Sequence, residues 1–444
     1  MDEATGGGRI EELVDVVVVG SGLAGLAAAA HAAGAGARTV VLDGHGAGGR
    51  AAVTVVDPGV RFNAGPRALY RGGAGARVLA GLGIRPRGST LPSDDGWGLD
   101  AGGLHRLPAT PWRLVRTDLL SARSKVRTAR LLAGLARIDA DALAGRSVDG
   151  WLGDLGAGED MATLLRMIIR IATYCDELDR LSTDAAVAQV QLALGDGVRY
   201  LDGGFQQLVD LLTARCRDVG VRSDTGSTVR GIEAAGDTWV VRTASRRLVA
   251  RSVVVAVGGP DATTRLLPVQ PGWGDLGPAA AAACLELAVR GRPARRRVFG
   301  LDDPLYLSEH SPPADLAPAG TSVVHVMRYG VRTSEQDRSD LWALAGVAGI
   351  REREVVAHRF LHRMVVTGAV PTPERGGLAG RPPVPVAGPP GLFVAGDWVG
   401  PEGMLGDAAL ASGADAGRRA GAWAGGPGRG AVPSPAPRTA ERAG

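Results

Sequence analysis

The chain has 444 residues with a 45% apolar share, enough for two sizeable cores in a globular protein. Its formal net charge is +4, its basic groups are arginines spread along the chain apart from the single lysine Lys125, and no basic patch is interleaved with aromatics, so no nucleic acid is expected as a partner. HExxH, GxSxG and zinc-spaced His/Cys clusters are absent and Lys125 follows no P-loop glycine pattern, which removes metal, serine-hydrolase and P-loop chemistry.

Residues 14–43 carry the strongest signal. Val16 to Val19 form a β-branched apolar run suited to a buried parallel strand. Gly20, Gly22 and Gly25 follow at GxGxxG spacing, and an Ala-rich helical stretch that includes Leu23 and Ala24 continues to about Ala33. A second apolar run, Thr39 to Leu42, ends on Asp43 and Gly44. Each residue type has a mechanical reason: Gly20 permits the tight turn, Gly22 lets a pyrophosphate approach the backbone, and Gly25 lets helix pack on strand. The helix start offers unpaired N–H groups and a positive dipole end to phosphates. Asp43 lies where a carboxylate accepts hydrogen bonds from a ribose diol. The chemistry is therefore expected to come from a bound dinucleotide.

Further along, Val60 to Tyr70 reads as a strand and a turn, and Pro111 to Leu194 as helical. Thr110-Pro111 is a helix start, and the helix it opens carries Arg113, Arg116, Arg123, Lys125, Arg127 and Arg130. A second helix is expected over 160–181, with a wide apolar stripe that fits either a core or the wall of an apolar substrate tunnel. At Gly195 the pattern changes to a turn, a strand and a helix from about Gly204, followed by strands at 221–232, 238–242 and 248–257. Strands at 285–289, 322–328 and 355–367, with a helix near Asp340, read as the sheet of a second domain. Residues 371–390 are a proline-rich connection, 392–395 a last strand, and a loop then leads to a closing helix. The tail after about Gly425 reads as disordered.

Cys175, Cys216 and Cys284 fit neither a disulfide framework nor a CxxC pattern, as in a reducing cytoplasm. Residues 1–13 lack the basic start of a signal peptide, and the apolar stretch after them is too broken by glycines to span a bilayer. The expected location is cytoplasmic. The basic and apolar helices leave a peripheral membrane contact open.

Three stretches together carry a resemblance: the fingerprint followed by Gly48-Gly49-Arg50, the run YLDGGFQQL from Tyr200, and GLFVAGDWVGPEGMLGDAALASG from Gly391. The chain resembles the FAD-dependent amine oxidase, protoporphyrinogen oxidase and phytoene desaturase superfamily, most of all its bacterial phytoene-desaturase-like members. The resemblance implies an α/β fold: a Rossmann-like FAD-binding domain, a parallel sheet with a small β insertion, plus an interleaved α+β substrate-binding domain. The first would comprise 1–75, 195–268 and 385–425, the second 76–194 and 269–384, with 426–444 as the tail.

It also implies non-covalent FAD. Gly20, Gly22, Leu23, Ala24 and Gly25 would face the pyrophosphate, Asp43 and Gly44 the adenosine ribose, and Gly49 and Arg50 the phosphates. Val229 would pair with the adenine through its backbone, with Gly258, Gly65 and Pro66 also beside the cofactor. Gly396 and Asp397 would bind the ribityl chain. Met404 and Leu405 would lie at the pyrimidine end of the isoalloxazine, where the closing helix starts.

Two departures bear on chemistry. Many amine oxidases keep a lysine near flavin N5, and Lys125 stands instead on a basic helix. Leu405 occupies the place of a cage tyrosine. Both favour a hydrophobic small-molecule substrate, dehydrogenated by hydride transfer to flavin N5, over a simple amine. Candidate catalytic residues are Arg67, Tyr70, Glu402 and His362, with His358, Tyr174 and Cys175 also weighed. Redox-neutral isomerase or mutase chemistry and a non-catalytic escort role are the alternatives. The electron acceptor (oxygen, a quinone or a protein), the substrate and the oligomeric state stay open.

Overall fold

The computed structural model describes residues 10–56, 59–90, 95–388 and 390–426. The disordered-tail expectation falls, apart from Gly426, outside the described residues.

Two seven-stranded sheets organise the molecule. In the first, Arg222–Thr225, Thr39–Asp43, Ile10–Val19 and Arg246–Val255 lie side by side in parallel. On its other edge the long strand Arg246–Val255 serves two further neighbours. Its first half pairs with Thr238–Arg242 of an antiparallel hairpin, its last residues with the parallel strand Leu392–Val394. This is a parallel sheet with a small β insertion. Its core strands are apolar on both faces, with Val16, Val17 and Val18 fully buried, because helices cover both sides.

The helix Leu23–Gly34 packs on the closing helix Leu405–Gly425 with Gly413, Gly417 and Gly421 against Ala24, Ala28 and Ala32. A Cβ on Gly413 would stand 2.2 Å from the Ala24 carbonyl oxygen, and one on Gly417 2.2 Å from that of Ala28. Backbones this close fix the two helices together over successive turns, so the starts of both point at the same edge of the sheet.

The second sheet runs in the order Val355–Thr367, Ala280–Arg290, Thr321–Tyr329, Leu305–Ser311, Arg297–Gly300, Gly96–Asp100, Gly103–Arg106. All its pairings are antiparallel except that of Arg297–Gly300 with Gly96–Asp100. The last two strands sit in a Gly-interrupted stretch where alternation is too short to read. Helix Ser334–Val347 joins the core on one side of this sheet, and helices including Glu159–Thr173 and Thr183–Leu194 join the core that contains Tyr306 and Met327.

Three expected elements differ. The helix expected over 160–181 ends at Thr173, because Tyr174 takes a left-handed conformation at φ 57°. The basic helix is two, Pro111–Arg116 and Ala122–Gly134, broken where Thr117 turns extended and Ser121 caps the second. The strand expected over 221–232 splits at Gly226, whose φ of +83° turns the chain into the antiparallel hairpin.

Candidate functional site

The carboxyl ends of five parallel strands meet along one edge of the first sheet, and a cavity of about 2210 Å³ opens there and runs on under the second sheet. Crevices beyond strand carboxyl ends are where doubly wound sheets bind ligands.

At the first-sheet end, Gly20, Gly22, Leu23 and Ala24 line the cavity with Asp43 and Gly44. Gly20 has φ +102°, and a Cβ there would meet the Ala256 carbonyl oxygen at 2.3 Å, so only glycine makes this turn. Gly25 stands behind the wall: its Cβ would lie 1.9 Å from the Gly20 oxygen, the close helix–strand approach expected of the third glycine. Gly22 caps the helix with no side-chain hydrogen bond, leaving backbone N–H groups for a ligand. Asp43 accepts from Ser21 N at 2.6 Å, Ser21 Oγ at 2.7 Å and His45 N at 2.8 Å, which closes the turn around its carboxylate.

Gly49, Arg50, Val229, Gly258, Gly396 and Asp397 line the same space. Arg50 Nη2 donates to Asp397 Oδ2 at 3.0 Å. Asp397 is 5% exposed and its other oxygen, Oδ1, is buried without a hydrogen-bond partner. A buried carboxylate oxygen left unpaired is costly, so a hydroxyl donor from a ligand fits there. Sequence reading missed Arg381, buried beneath this element. It donates to the carbonyl oxygens of Asp397 at 3.3 Å and Gly403 at 2.8 Å, tying the Gly-Asp turn to the loop before the closing helix. Burial pushes its guanidinium down to about 10. Arg381 lies in the proline-rich connection, where no periodicity marks it. Met404 caps the closing helix from behind the wall, and Leu405, at φ 55°, lines the cavity at that helix start.

Under the second sheet the lining changes character. Tyr70, Tyr174, Tyr200 and Tyr306, four of the chain's five tyrosines, line the cavity. The fifth, Tyr329, packs 6.1 Å from Tyr174 and 6.3 Å from Tyr306. Leu114, Leu132, Leu164, Ile168 and Ile171 complete an apolar arm between three helices. Tyr70 donates to the Ala172 oxygen at 2.8 Å, and Tyr306 Oη lies 3.3 Å from His310 Nε2. Burial pushes the hydroxyls of Tyr174, Tyr200 and Tyr306 up, so they stay neutral, and pushes His310 down, so it stays uncharged. His325 behind it is pushed down to about 3.

Arg67 lines the cavity where the two regions join, next to Pro66. It donates to the backbone oxygens of Asn63 at 2.9 Å and Arg50 at 2.6 Å. Gly65 does not line the space. Its N–H donates at 3.0 Å to the fully buried Glu286, whose other oxygen takes Arg359 Nε at 2.6 Å. Desolvation raises the Glu286 carboxyl, and Arg359 opposes that shift.

Two expected catalytic residues do not face the cavity. Glu402 is exposed and pairs with Arg77, because its loop turns outward before the closing helix. His362 is half-exposed on the strand Val355–Thr367, 3.1 Å from the Arg332 oxygen, and packs toward helix Ser334–Val347. His358 likewise packs on Trp342 of that helix. Lys125 donates to the Val115 oxygen at 3.0 Å and does not line the cavity. Cys175 is buried behind Tyr174. Among the described residues no group of His, Cys, Asp or Glu could hold a metal ion.

The residues present fit FAD: two helix starts without a side-chain cap bond, an acid at the end of the second strand, and an unpaired buried carboxylate oxygen along one continuous cavity. Comparisons with known proteins agree. The sequence profile of the family described as flavin containing amine oxidoreductase matches residues 23–288. Over 65 residues the chain is 45% identical to an all-trans-retinol 13,14-reductase of Macaca fascicularis, a stretch covering 15% of this chain and 11% of that enzyme. An oxidoreductase from Methanosarcina mazei shares the fold at a TM-score of 0.70 and 19% identity, over 91% of this chain and 99% of that one. Putrescine oxidase bound to putrescine shares it at 0.69 and 15% identity, over 92% and 99%. The profile spans more than half of the sequence, and the chain belongs to the flavin containing amine oxidoreductase family.

Proposed function

We propose that the protein dehydrogenates an uncharged or anionic, largely apolar small molecule held in the tyrosine-lined arm of the cavity. The observation that carries this reading is the make-up of that arm. Tyr70, Tyr174, Tyr200 and Tyr306 offer neutral hydroxyls among aliphatic side chains. Of the carboxylates that line the cavity, Asp43, Asp261 and Asp397 follow the ends of first-sheet strands, Asp275 follows Trp273, which packs on Trp398, and Asp196 is exposed beside Gly72. An alkylammonium group placed there would lose its hydration without gaining a counter-charge, which costs several kcal/mol, roughly, per buried ion. A neutral apolar body gains about 25 cal/mol for each Å² it removes from water.

When bound, FAD supplies the hydride acceptor. The chain's own part is to hold, orient and keep dry. In this reading Gly20, Gly22, Leu23, Ala24, Asp43, Gly44, Gly49, Arg50, Val229, Gly258, Gly396 and Asp397 hold the cofactor, and Leu405 brings the closing helix start beside its ring. Gly25, Gly65 and Met404 shape the walls from behind. Arg67, Pro66 and Tyr70 border the reacting end. The apolar arm excludes water there.

The same reading has the substrate arrive from a bilayer. Trp112, Val115 and Val126 are 66%, 64% and 51% exposed on two helices that hold arginines and the lysine but no acid. Leu114 and Leu132 of these helices line the cavity from the other side. An anionic lipid surface complements both the charge and the apolar groups. Among the described residues no helix is long and apolar enough to cross a membrane, so the contact is peripheral.

Turnover of neutral polyenes or alcohols with a reducible dye under argon tests the reaction. One dye reduced per two hydrogens lost from product is the expected result. Product formed with no dye consumed would put redox-neutral isomerisation in its place.

A further inference from the structure

Arg67 is a partly buried cation without a carboxylate partner. Among the described residues no Asp or Glu oxygen lies within ion-pair distance of it, and its hydrogen bonds, from Nε and Nη2, go to backbone oxygens. Each of the two carboxylates in its neighbourhood already faces another arginine. Glu286 faces Arg359 and Gly65, and Asp397 faces Arg50. Arg50 and Arg359 thus take the two carboxylates, with Arg381 also beneath Asp397, and Arg67, which lines the cavity beside Arg50, is left without one. A loop staple alone would account for Nε and Nη2. The Phe205 ring, 5.6 Å from the guanidinium carbon, adds a cation–π contact but no counter-charge, and a neutral donor could bond the same carbonyls without the desolvation cost.

Burial pushes the Arg67 guanidinium down to about 10, which still leaves it protonated at neutral pH. Tyr174, close enough to interact with it electrostatically, adds a neutral hydroxyl beside it. From there the aliphatic arm runs between Leu132, Leu164 and Ile168. A cation and a hydroxyl donor at one end of an apolar channel match one ligand chemistry: a carboxylate head on an apolar tail.

We propose that Arg67 is a substrate-recognition residue and that the substrate is an apolar carboxylic acid, bound with its carboxylate on the Arg67 guanidinium and its tail in the aliphatic arm. This rests on the functional reading above and narrows it from an apolar molecule to an acid. The other anion that could meet Arg67 is reduced flavin itself, and the test separates the two.

The holoprotein is titrated with decanoate, decanol and decylamine, each followed by perturbation of the flavin absorbance, in the native chain and in Arg67→Met and Arg67→Lys. The native protein is expected to bind decanoate about 10–100-fold more tightly than decanol, the range of a charge-assisted hydrogen bond. Arg67→Met should lose that preference while still binding decanol, and Arg67→Lys should keep part of it. Retained flavin absorbance shows that each variant is folded. Equal binding of acid and alcohol by the native protein overturns the inference and leaves the apolar reading standing. An acid preference that survives in Arg67→Met also overturns it, as does a variant in which only the flavin midpoint potential moves. Tightest binding of decylamine, or binding of none of the three, overturns both.

Discussion

Arg50 and Asp397 stand 347 residues apart in the chain and 3.0 Å apart in space, so the first and last portions of the polypeptide close one cavity together. The pair leaves Asp397 Oδ1 buried and unpartnered and leaves Arg50 half-exposed toward the cavity. Each therefore has capacity for a ligand that the protein alone does not fill. Arg50→Ala and Asp397→Ala should each weaken FAD retention about 10–100-fold, the worth of a lost charge-assisted hydrogen bond. The ratio of flavin to protein absorbance after gel filtration checks this. Full flavin content in both variants would contradict the assignment.

Gly417 lies where the closing helix touches the first helix, and a Cβ there would meet a backbone oxygen that cannot swing aside. Gly417→Ala should cost about 1–3 kcal/mol of stability as an overpacked contact. Gly153→Ala is the control, since a Cβ at that helical position meets nothing within 4 Å. It should be neutral or slightly stabilising. Equal thermal shifts for the two would show that the helices are not held at this distance.

Burial raises the Asp407 carboxyl from its ordinary 3.8 to about 6, against the opposing effects of the Gly75 N–H and Arg77, while Glu402 adds to the rise. The folded state thus holds the proton more tightly than the unfolded chain. That contribution, on the order of 2–3 kcal/mol, is complete below about pH 4 and is lost as pH rises through about 6. Asp407→Asn cannot ionise, so its melting temperature should gain on that of the native protein between pH 4.5 and 7.5. A difference that does not change with pH would contradict the shift.

The exposed Trp112, Val115 and Val126 predict binding to vesicles of phosphatidylglycerol and phosphatidylcholine, measured by co-sedimentation. The triple alanine variant should bind several-fold less, and 0.5 M salt, roughly, should weaken the native protein because its arginines are then screened. No sedimentation of the native protein, or equal sedimentation of the variant, would remove the membrane contact.

The nucleotide end of the cavity was legible in sequence because its constraints are local. A tight turn, a close helix approach and an acid at the end of a strand each leave one residue type at one spacing, as at Gly20, Gly25 and Asp43. The tyrosine-lined arm was legible only in part, through the apolar stripe after residue 160 and the candidates Tyr70 and Tyr174. Tyr70, Tyr174, Tyr200 and Tyr306 come from four separate parts of the chain and meet only through sheet pairing and helix packing. Tyr174 reaches the cavity because it breaks the helix expected to continue past it, a left-handed residue that periodicity does not announce. Glu402 shows the converse: nearness in sequence to Asp397 suggested a role, but its loop turns outward to Arg77.

An anaerobic titration of the bound flavin tests the account most directly. Neutral or acidic apolar donors, such as retinol and unsaturated fatty acids, are added in one series, and putrescine and cyclohexylamine in another. The account predicts bleaching of the oxidised flavin band in the first series and none in the second. Bleaching by the amines alone would contradict it.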